Sequence, residues 1–190
     1  MAAEELEYRF QWTFPLAMSP HDRTTIYAGS QVVHRTTNGG RIEVQTKRLL
    51  QIRDDMNSVV EMIHRIEWTR KQLYDLKEVH KEDEAIVKAV DDLDEKLLTV
   101  EEELTETRLT GRGQDALRWP SRLVSKLTHL ATGISTADFS PTTQQVAVHE
   151  MFQKQIRELR QKVEELLSTE LTAFTSLLKE KGIANVTPKI

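Results

Sequence analysis

The sequence contains, at residues 49–66, the run LLQIRDDMNSVVEMIHRI. Apolar residues recur in and beyond this run at steps of four and three, which places them on one face of a helix. The members of this seam are Ile52, Met56, Val59, Ile63, Ile66 and Leu73, with Arg70 in the one slot that should be apolar. The pattern predicts a first helix from Thr46 to about Val79, roughly 50 Å long at about 1.5 Å per residue.

A second helix follows a polar break at residues 80–83, where Asp83 is suited to be the N-cap. Its apolar seam is Ile86, Val90, Leu93, Leu97, Val100 and Leu104. The acidic run Glu101–Glu103 is expected on its solvated face, and Gly111 and Gly113 are expected to end it. A connection this short predicts that the two helices are antiparallel neighbours.

Two further helices are predicted downstream. Pro120 is expected in the first turn of a short third helix, whose seam is Leu123, Leu127, Leu130 and Ile134. Ser140-Pro141 is the start signal for a fourth, with a seam at Phe152, Ile156, Leu159, Val163 and Leu167. Its spacing then becomes four and four to Leu171, so this helix either unwinds locally or breaks near Ser168-Thr169, and we favour the break. Lys179, Lys181 and Gly182 mark its end.

The first forty residues have a different pattern. Short apolar patches at Leu16–Met18, at Ile26-Tyr27 and at Val32-Val33 are separated by turn residues, which predicts two or three short strands. So small a sheet is marginal alone and needs a neighbour. We therefore divide the chain into a β appendage at residues 1–45 and a helical part at residues 46–190.

Length, charge and composition argue against several classes of function. A chain of 190 residues suits one domain, and a formal charge of −4 gives no electrostatic footprint for nucleic acid. No cysteine is present, which removes disulfides, thiolate nucleophiles and zinc-thiolate sites. We find neither a signal peptide nor a run of about 18 apolar residues, so no membrane partner is expected and a cytoplasmic location is the default.

The motifs of catalysis and metal binding are near misses. His149-Glu150-Met151-Phe152-Gln153 resembles a zinc-protease pentad, but Gln153 replaces the second histidine. Glu61 and His64 have the spacing of a di-iron bundle ligand pair, but the motif occurs once and lies off the seam. We therefore expect no catalytic residues, no cofactor and no metal.

Residues 35–41, Arg-Thr-Thr-Asn-Gly-Gly-Arg, resemble an Asp-box, the Ser/Thr-x-Asp-x-Gly-x-x-Trp turn of sialidase-type propeller blades. Thr36, Asn38 and Gly40 match or approximate the motif, and Glu43 stands at its tryptophan position. With the strands before it, this segment resembles a blade edge of the bacterial Asp-box (BNR-repeat) propeller proteins labelled glycosyl hydrolase or sortilin-like. The chain from Gln45 onward resembles their C-terminal helical tail, and such relatives look secreted. The resemblance implies that residues 35–41 form a structural turn and not a catalytic site. It also implies that this chain is a truncated relative, which lacks the sequence between the blade edge and the helical tail.

These observations predict a mainly α protein: an antiparallel three- or four-helix bundle of long coiled-coil-like helices with a small N-terminal β appendage. The favoured function is a non-catalytic interaction or scaffold module, whose partner is a protein, either a second copy of the chain or a propeller domain. Two alternatives stay open. One is a glycoside hydrolase-family protein whose catalytic part is missing here, and the other is a coiled-coil oligomerisation module.

Overall fold

The structure, a computed structural model, describes residues 16–18, 26–29, 33–36, 39–109, 118–136, 139–183 and 186, with side chains from residue 42 onward. Strands β1 (Leu16–Met18), β2 (Ile26–Gly29) and β3 (Val33–Thr36) pair antiparallel in that order, with Leu16 opposite Ala28 and Tyr27 opposite Arg35. The helices are α1 (Gly39–Val79), α2 (Glu84–Leu104), α3 (Leu123–Ser135), α4 (Thr143–Glu165), a π-helical turn (Leu166–Glu170) and α5 (Leu171–Glu180). The described protein is mainly helical, as the sequence predicts.

Helix α1 begins seven residues before the predicted start at Thr46, so that prediction is wrong. Gly39 and Gly40 are poor helix formers, which is why the sequence indicated a turn there. A tertiary contact lies in this early part of the helix: the buried Gln45 side chain donates from Nε2 to the carbonyl of Ile134 at 2.6 Å. The division proposed between residues 45 and 46 therefore falls inside a helix.

The junction between α1 and α2 is confirmed. Helix α1 ends at Val79, and the Asp83 carboxylate accepts from the backbone N–H groups of Ala85 and Ile86 at the start of α2. All six predicted seam residues of α2 are buried. The predicted end at Gly111 is wrong. Helix α2 ends at Leu104, and the backbone of the next residue, Thr105, is extended.

The predicted starts of α3 and α4 are each early by two or three residues. Pro120 lies outside α3, whose N-cap is Arg122. Helix α4 starts after Thr142, because Thr142 and Gln145 form a capping box in which each side chain bonds the backbone N–H of the other residue. Pro141 therefore precedes the cap and is not the first helical residue.

The fourth predicted helix does not break near Ser168. The backbone stays helical from α4 through the π turn into α5, with right-handed helical angles at Glu165, Glu170 and Leu171. Local unwinding, the alternative to the break, is what the structure contains. Val163, Leu167, Leu171, Phe174 and Leu178 are all buried, so one apolar face continues across the turn.

The C-terminus of α5 is confirmed as a glycine-capped end. Gly182 has a φ of 71°, and the N–H groups of Gly182 and Ile183 donate to the carbonyls of Lys179 and Leu178. These are the two hydrogen bonds of a Schellman motif.

Contacts between helices fix their relative directions. Between α1 and α2, Lys77 pairs with Asp91 and Arg70 with Asp94, so the two helices run antiparallel. Between α1 and α4, the residue numbers of both partners increase from one contact to the next, so these helices run parallel. The contacts are Arg48–His149, Asp55–Gln153 and Arg65–Glu164. Contacts between α2 and the α4–α5 run are antiparallel, at Glu103–Lys162, Lys96–Glu170 and Asp83–Lys181.

Candidate functional site

A fully buried histidine lies between α1 and α4. The His149 side chain is 0% exposed, and its Nε2 lies 2.8 Å from Asp55 Oδ2. Its Nδ1 lies 3.1 Å from the guanidinium of Arg48, and Gln153 Nε2 donates to the same Asp55 oxygen at 2.9 Å. Because a guanidinium can only donate, Nδ1 is the acceptor and Nε2 carries the proton that Asp55 accepts.

This arrangement resembles the histidine–carboxylate half of a catalytic triad but differs in the group on the other ring nitrogen. A general base must accept a proton from a nucleophile, whereas Nδ1 of His149 accepts from Arg48. Gln153, which replaced the second metal ligand of the pentad, instead binds Asp55. The cluster therefore joins α1 to α4 through four polar side chains.

A second polar cluster interrupts the apolar seam between α1 and α2. Arg70 donates from Nε to Asp94 at 2.7 Å and from a terminal nitrogen to Glu101 at 2.6 Å. Glu101 is buried, so its predicted place on a solvated face is wrong. Burial raises the pKa of Glu101 above its ordinary value, because desolvation outweighs the bond from Arg70. The bond to Asp94 and then that to Glu101 raise the pKa of Arg70.

A third cluster follows α2. The Glu106 side chain is 2% exposed and accepts from Arg108 Nε at 2.5 Å and from Arg122 Nε at 3.2 Å. These bonds, led by that from Arg108, lower the pKa of Glu106 to about 2. The Arg108 guanidinium lies 3.9 Å from the centre of the Trp119 ring, a cation–π contact. This cluster was not predicted, because no periodic signal in the sequence marks it.

Two open cavities lie along α2. One, of about 540 Å³, lies against α1 and includes Tyr74, Lys77, Asp91 and Asp94. The other, of about 530 Å³, lies against the end of α4 and the π turn, and we call it the α2–π groove. Its lining residues are Lys96, Thr99, Val100, Lys162, Glu165, Leu166, Thr169 and Glu170.

The predicted structural turn is only partly within the described residues. Thr36 ends β3, Gly40 lies in the first turn of α1, and Asn38 lies outside the described residues. The Asp-box hypothesis therefore stays a prediction. Glu61 and His64, the other pair considered, are both exposed on α1, as expected for residues off the seam.

Across the side chains that the structure describes, no group of three or more histidines and carboxylates is placed to hold a metal ion. Within the same ranges, no helix has an apolar stretch sufficient to traverse a lipid bilayer.

Comparisons with known proteins give no relative. No family model, no curated protein and no solved structure matches this chain.

Proposed function

We propose that this chain is a non-catalytic helical interaction and scaffold module, built as a bundle of three helical rods with a small N-terminal β appendage. The first rod is α1, and the third is α4 continued through the π turn into α5. The middle rod consists of α2 and then α3, both antiparallel to α1. Two contacts support this order: Arg122 at the start of α3 meets Glu106 just after α2, and Ile134 near its end meets Gln45 near the start of α1.

The observation that carries the proposal is that charged side chains connect the rods to one another. Ion pairs flank the apolar seam on several sides, at Arg65–Glu164, Arg70–Asp94, Lys77–Asp91, Lys96–Glu170, Lys162–Glu103 and Lys181–Asp83. The His149–Asp55 pair joins α1 to α4 in the same way. The carboxylates and the histidine of these pairs therefore hold helices together.

Buried apolar side chains and ion pairs contribute differently to the free energy of folding. A fully buried Leu, Ile or Val contributes about 1.5 to 3 kcal/mol, so the seam supplies the stability. An exposed ion pair contributes about 0 to 1 kcal/mol, too little to hold the rods by itself. The pairs instead favour the one register in which these opposite charges meet. A stiff rod with a fixed register is suited to presenting a binding surface or holding a neighbouring domain.

A test of the non-catalytic character uses a panel of aryl glycosides. The proposal predicts no turnover by the folded protein. The contradicting result is turnover that is lost in Asp55→Asn and kept in Glu61→Gln. Asp55 holds the buried histidine and Glu61 is an exposed residue of the same helix, so this pattern would assign catalysis to the His149 cluster.

A second test separates a scaffold from an oligomerisation module. Light scattering at high concentration is expected to give the mass of one chain, 21.9 kDa, because the seam is already covered by the chain's own helices. A mass that is a multiple of 21.9 kDa would favour the coiled-coil alternative.

The relation to the helical tail of Asp-box propeller proteins is proposed on the sequence resemblance alone. It predicts that the reading frame or its genomic neighbours encode propeller blades. A neighbourhood without blade repeats would count against that relation and would leave the scaffold proposal in place.

A further inference from the structure

The π turn corresponds to one extra residue in the apolar pattern. Buried residues of α4 fall at positions 152, 156, 159 and 163, an alternation of four and three. Continued without change, it would place the next at 166, 170, 173 and 177. The buried residues are instead Leu167, Leu171, Phe174 and Leu178, each one position later. A π turn accommodates one additional residue within a helix, and such turns are frequent at functional sites.

The extra residue lies where α2 and α4 enclose the α2–π groove. Val100 of α2 and Leu166 of the π turn contribute its apolar surface, beside the hydroxyl groups of Thr99 and Thr169. A volume of about 530 Å³ is within the range of sites for small ligands. The groove and the π turn are separate observations, and they coincide.

Two ion pairs link α2 to the rod that faces it across the groove. Lys162 binds Glu103 at 2.8 Å, and Lys96 binds Glu170 at 2.7 Å. Because residues 96 and 103 are seven positions apart on α2, the pairs are about 10 Å apart along the helix. The space between the two pairs is therefore about 10 Å long, which is enough for a short linear chain.

Charge decides which chemical class this space fits. Both lysines of the groove are paired with glutamates, so an anionic ligand would have to displace a carboxylate from one of them. Glu165 is different, because its carboxylate accepts from the Gln161 amide and has no cationic partner among the described side chains. A ligand that brings a positive charge therefore completes the set.

We propose that the α2–π groove binds a small linear aliphatic ammonium compound. Its ammonium group donates to Glu165, and its alkyl chain lies along Val100 and Leu166. The ligand class follows from one carboxylate that has no cationic partner among the described side chains and that lies beside an apolar surface about 10 Å long. This site is additional to the scaffold role and does not depend on it.

The test is a titration of the full chain with hexylammonium chloride, followed by amide chemical shifts. We expect saturable shifts confined to residues 96–103 and 162–170, with the millimolar affinity that a probe of this size reaches. Hexanol, which lacks the charge, should bind the unaltered protein about fivefold more weakly than hexylammonium does. Hexylammonium should bind Glu165→Gln about fivefold more weakly than it binds the unaltered protein. In both cases one exposed charge contact is removed. Glu158→Gln, which removes an exposed carboxylate elsewhere on α4, should bind as the unaltered protein does.

Four results would overturn the proposal. They are the absence of saturable shifts, shifts centred elsewhere, equal binding of hexanoate, and an unaltered affinity in Glu165→Gln. A second variant, Thr169→Leu, fills the groove without a change of charge and should abolish binding. Circular dichroism of each variant confirms that loss of binding is not loss of fold.

Discussion

Arg70 and Glu101 show how a charged pair is accommodated within an apolar seam. Arg70 keeps part of its side chain in water, with 27% exposed, and binds two carboxylates. Glu101 is enclosed, and burial raises its pKa above the ordinary value. The two partners therefore differ in what they would lose. Arg70 would keep its bonds to Asp94 without Glu101, whereas the Glu101 carboxylate is bonded to Arg70.

This asymmetry predicts unequal costs of removal. Arg70→Met leaves a buried carboxylate without its partner and should lower the free energy of unfolding by about 2 to 4 kcal/mol. Glu101→Gln removes the buried charge and should change it by less than about 1 kcal/mol. Urea unfolding at pH 7 measures both, and the double variant should recover most of the loss in Arg70→Met. Equal costs for the two single variants would contradict this account.

Glu106 predicts the response to acid. Its folded pKa is lowered to about 2 from an ordinary value of 4.5, so the folded state favours the ionised carboxylate. The resulting stabilisation is complete above pH 4.5 and is lost as the pH falls from 4.5 towards 2. The Tm difference between the unaltered protein and Glu106→Gln should therefore be largest near neutral pH and shrink over that interval. A difference that is constant with pH would contradict the assignment.

The sequence predicted single residues where a local rule applies. Arg70 was identified because it interrupts a regular spacing, but its partners lie 24 and 31 positions away and no local pattern marks them. Glu101 was misplaced for a related reason, since the identity of one glutamate in a run of three does not say which of them faces Arg70. The His149 cluster was missed because its two halves meet only after α1 and α4 have packed. The Glu106 cluster was missed because Arg122 lies 16 positions from Glu106 and no local pattern marks it as a partner.

Helix boundaries follow caps more closely than they follow the apolar pattern. Asp83 and Gly182 were predicted as caps, and both are. The start of α4 was misassigned because Ser140-Pro141 was weighed above the Thr142 and Gln145 pair, although two reciprocal hydrogen bonds outweigh a proline preference. The start of α1 was misassigned because two glycines oppose helix locally, whereas the contact of Gln45 with α3 is tertiary.

The π turn makes the sharpest prediction about a single element. Deleting Glu165 removes one residue between Val163 and Leu167 and restores the alternation of four and three along the whole rod. We expect a continuous α-helix, with helicity kept and a Tm within about 5 °C of the unaltered protein, since no buried side chain is displaced.

The matched control deletes Glu158, another exposed glutamate on α4. That deletion moves Leu159 and Val163, both buried, out of register with the rest of the seam. Removing two such residues from the core should cost about 4 kcal/mol or more, measured by urea unfolding. If the two deletions are equally damaging, the π turn is not an inserted residue.

At the scale of the whole molecule, the sequence predicted which face of each helix is buried but not which helices lie parallel. The seams of α1, α2 and α4 are alike in spacing, so periodicity alone allows several arrangements. The relative directions of the helices are evident only from long-range pairs such as Arg65–Glu164 and Lys181–Asp83, which join residues about a hundred positions apart. Only the antiparallel relation of α1 and α2 followed from the sequence, because their connection is short.

The most direct test of this packing is a pair of distances between spin labels. The chain has no cysteine, so Gln51→Cys with Glu150→Cys, and Gln51→Cys with Glu180→Cys, place labels only at chosen exposed sites. With α1 parallel to α4 and α5, we expect about 20 Å for the first pair, across neighbouring helices. The second pair should be about 40 Å apart, along most of α1. A first distance longer than the second would contradict the packing on which the account depends.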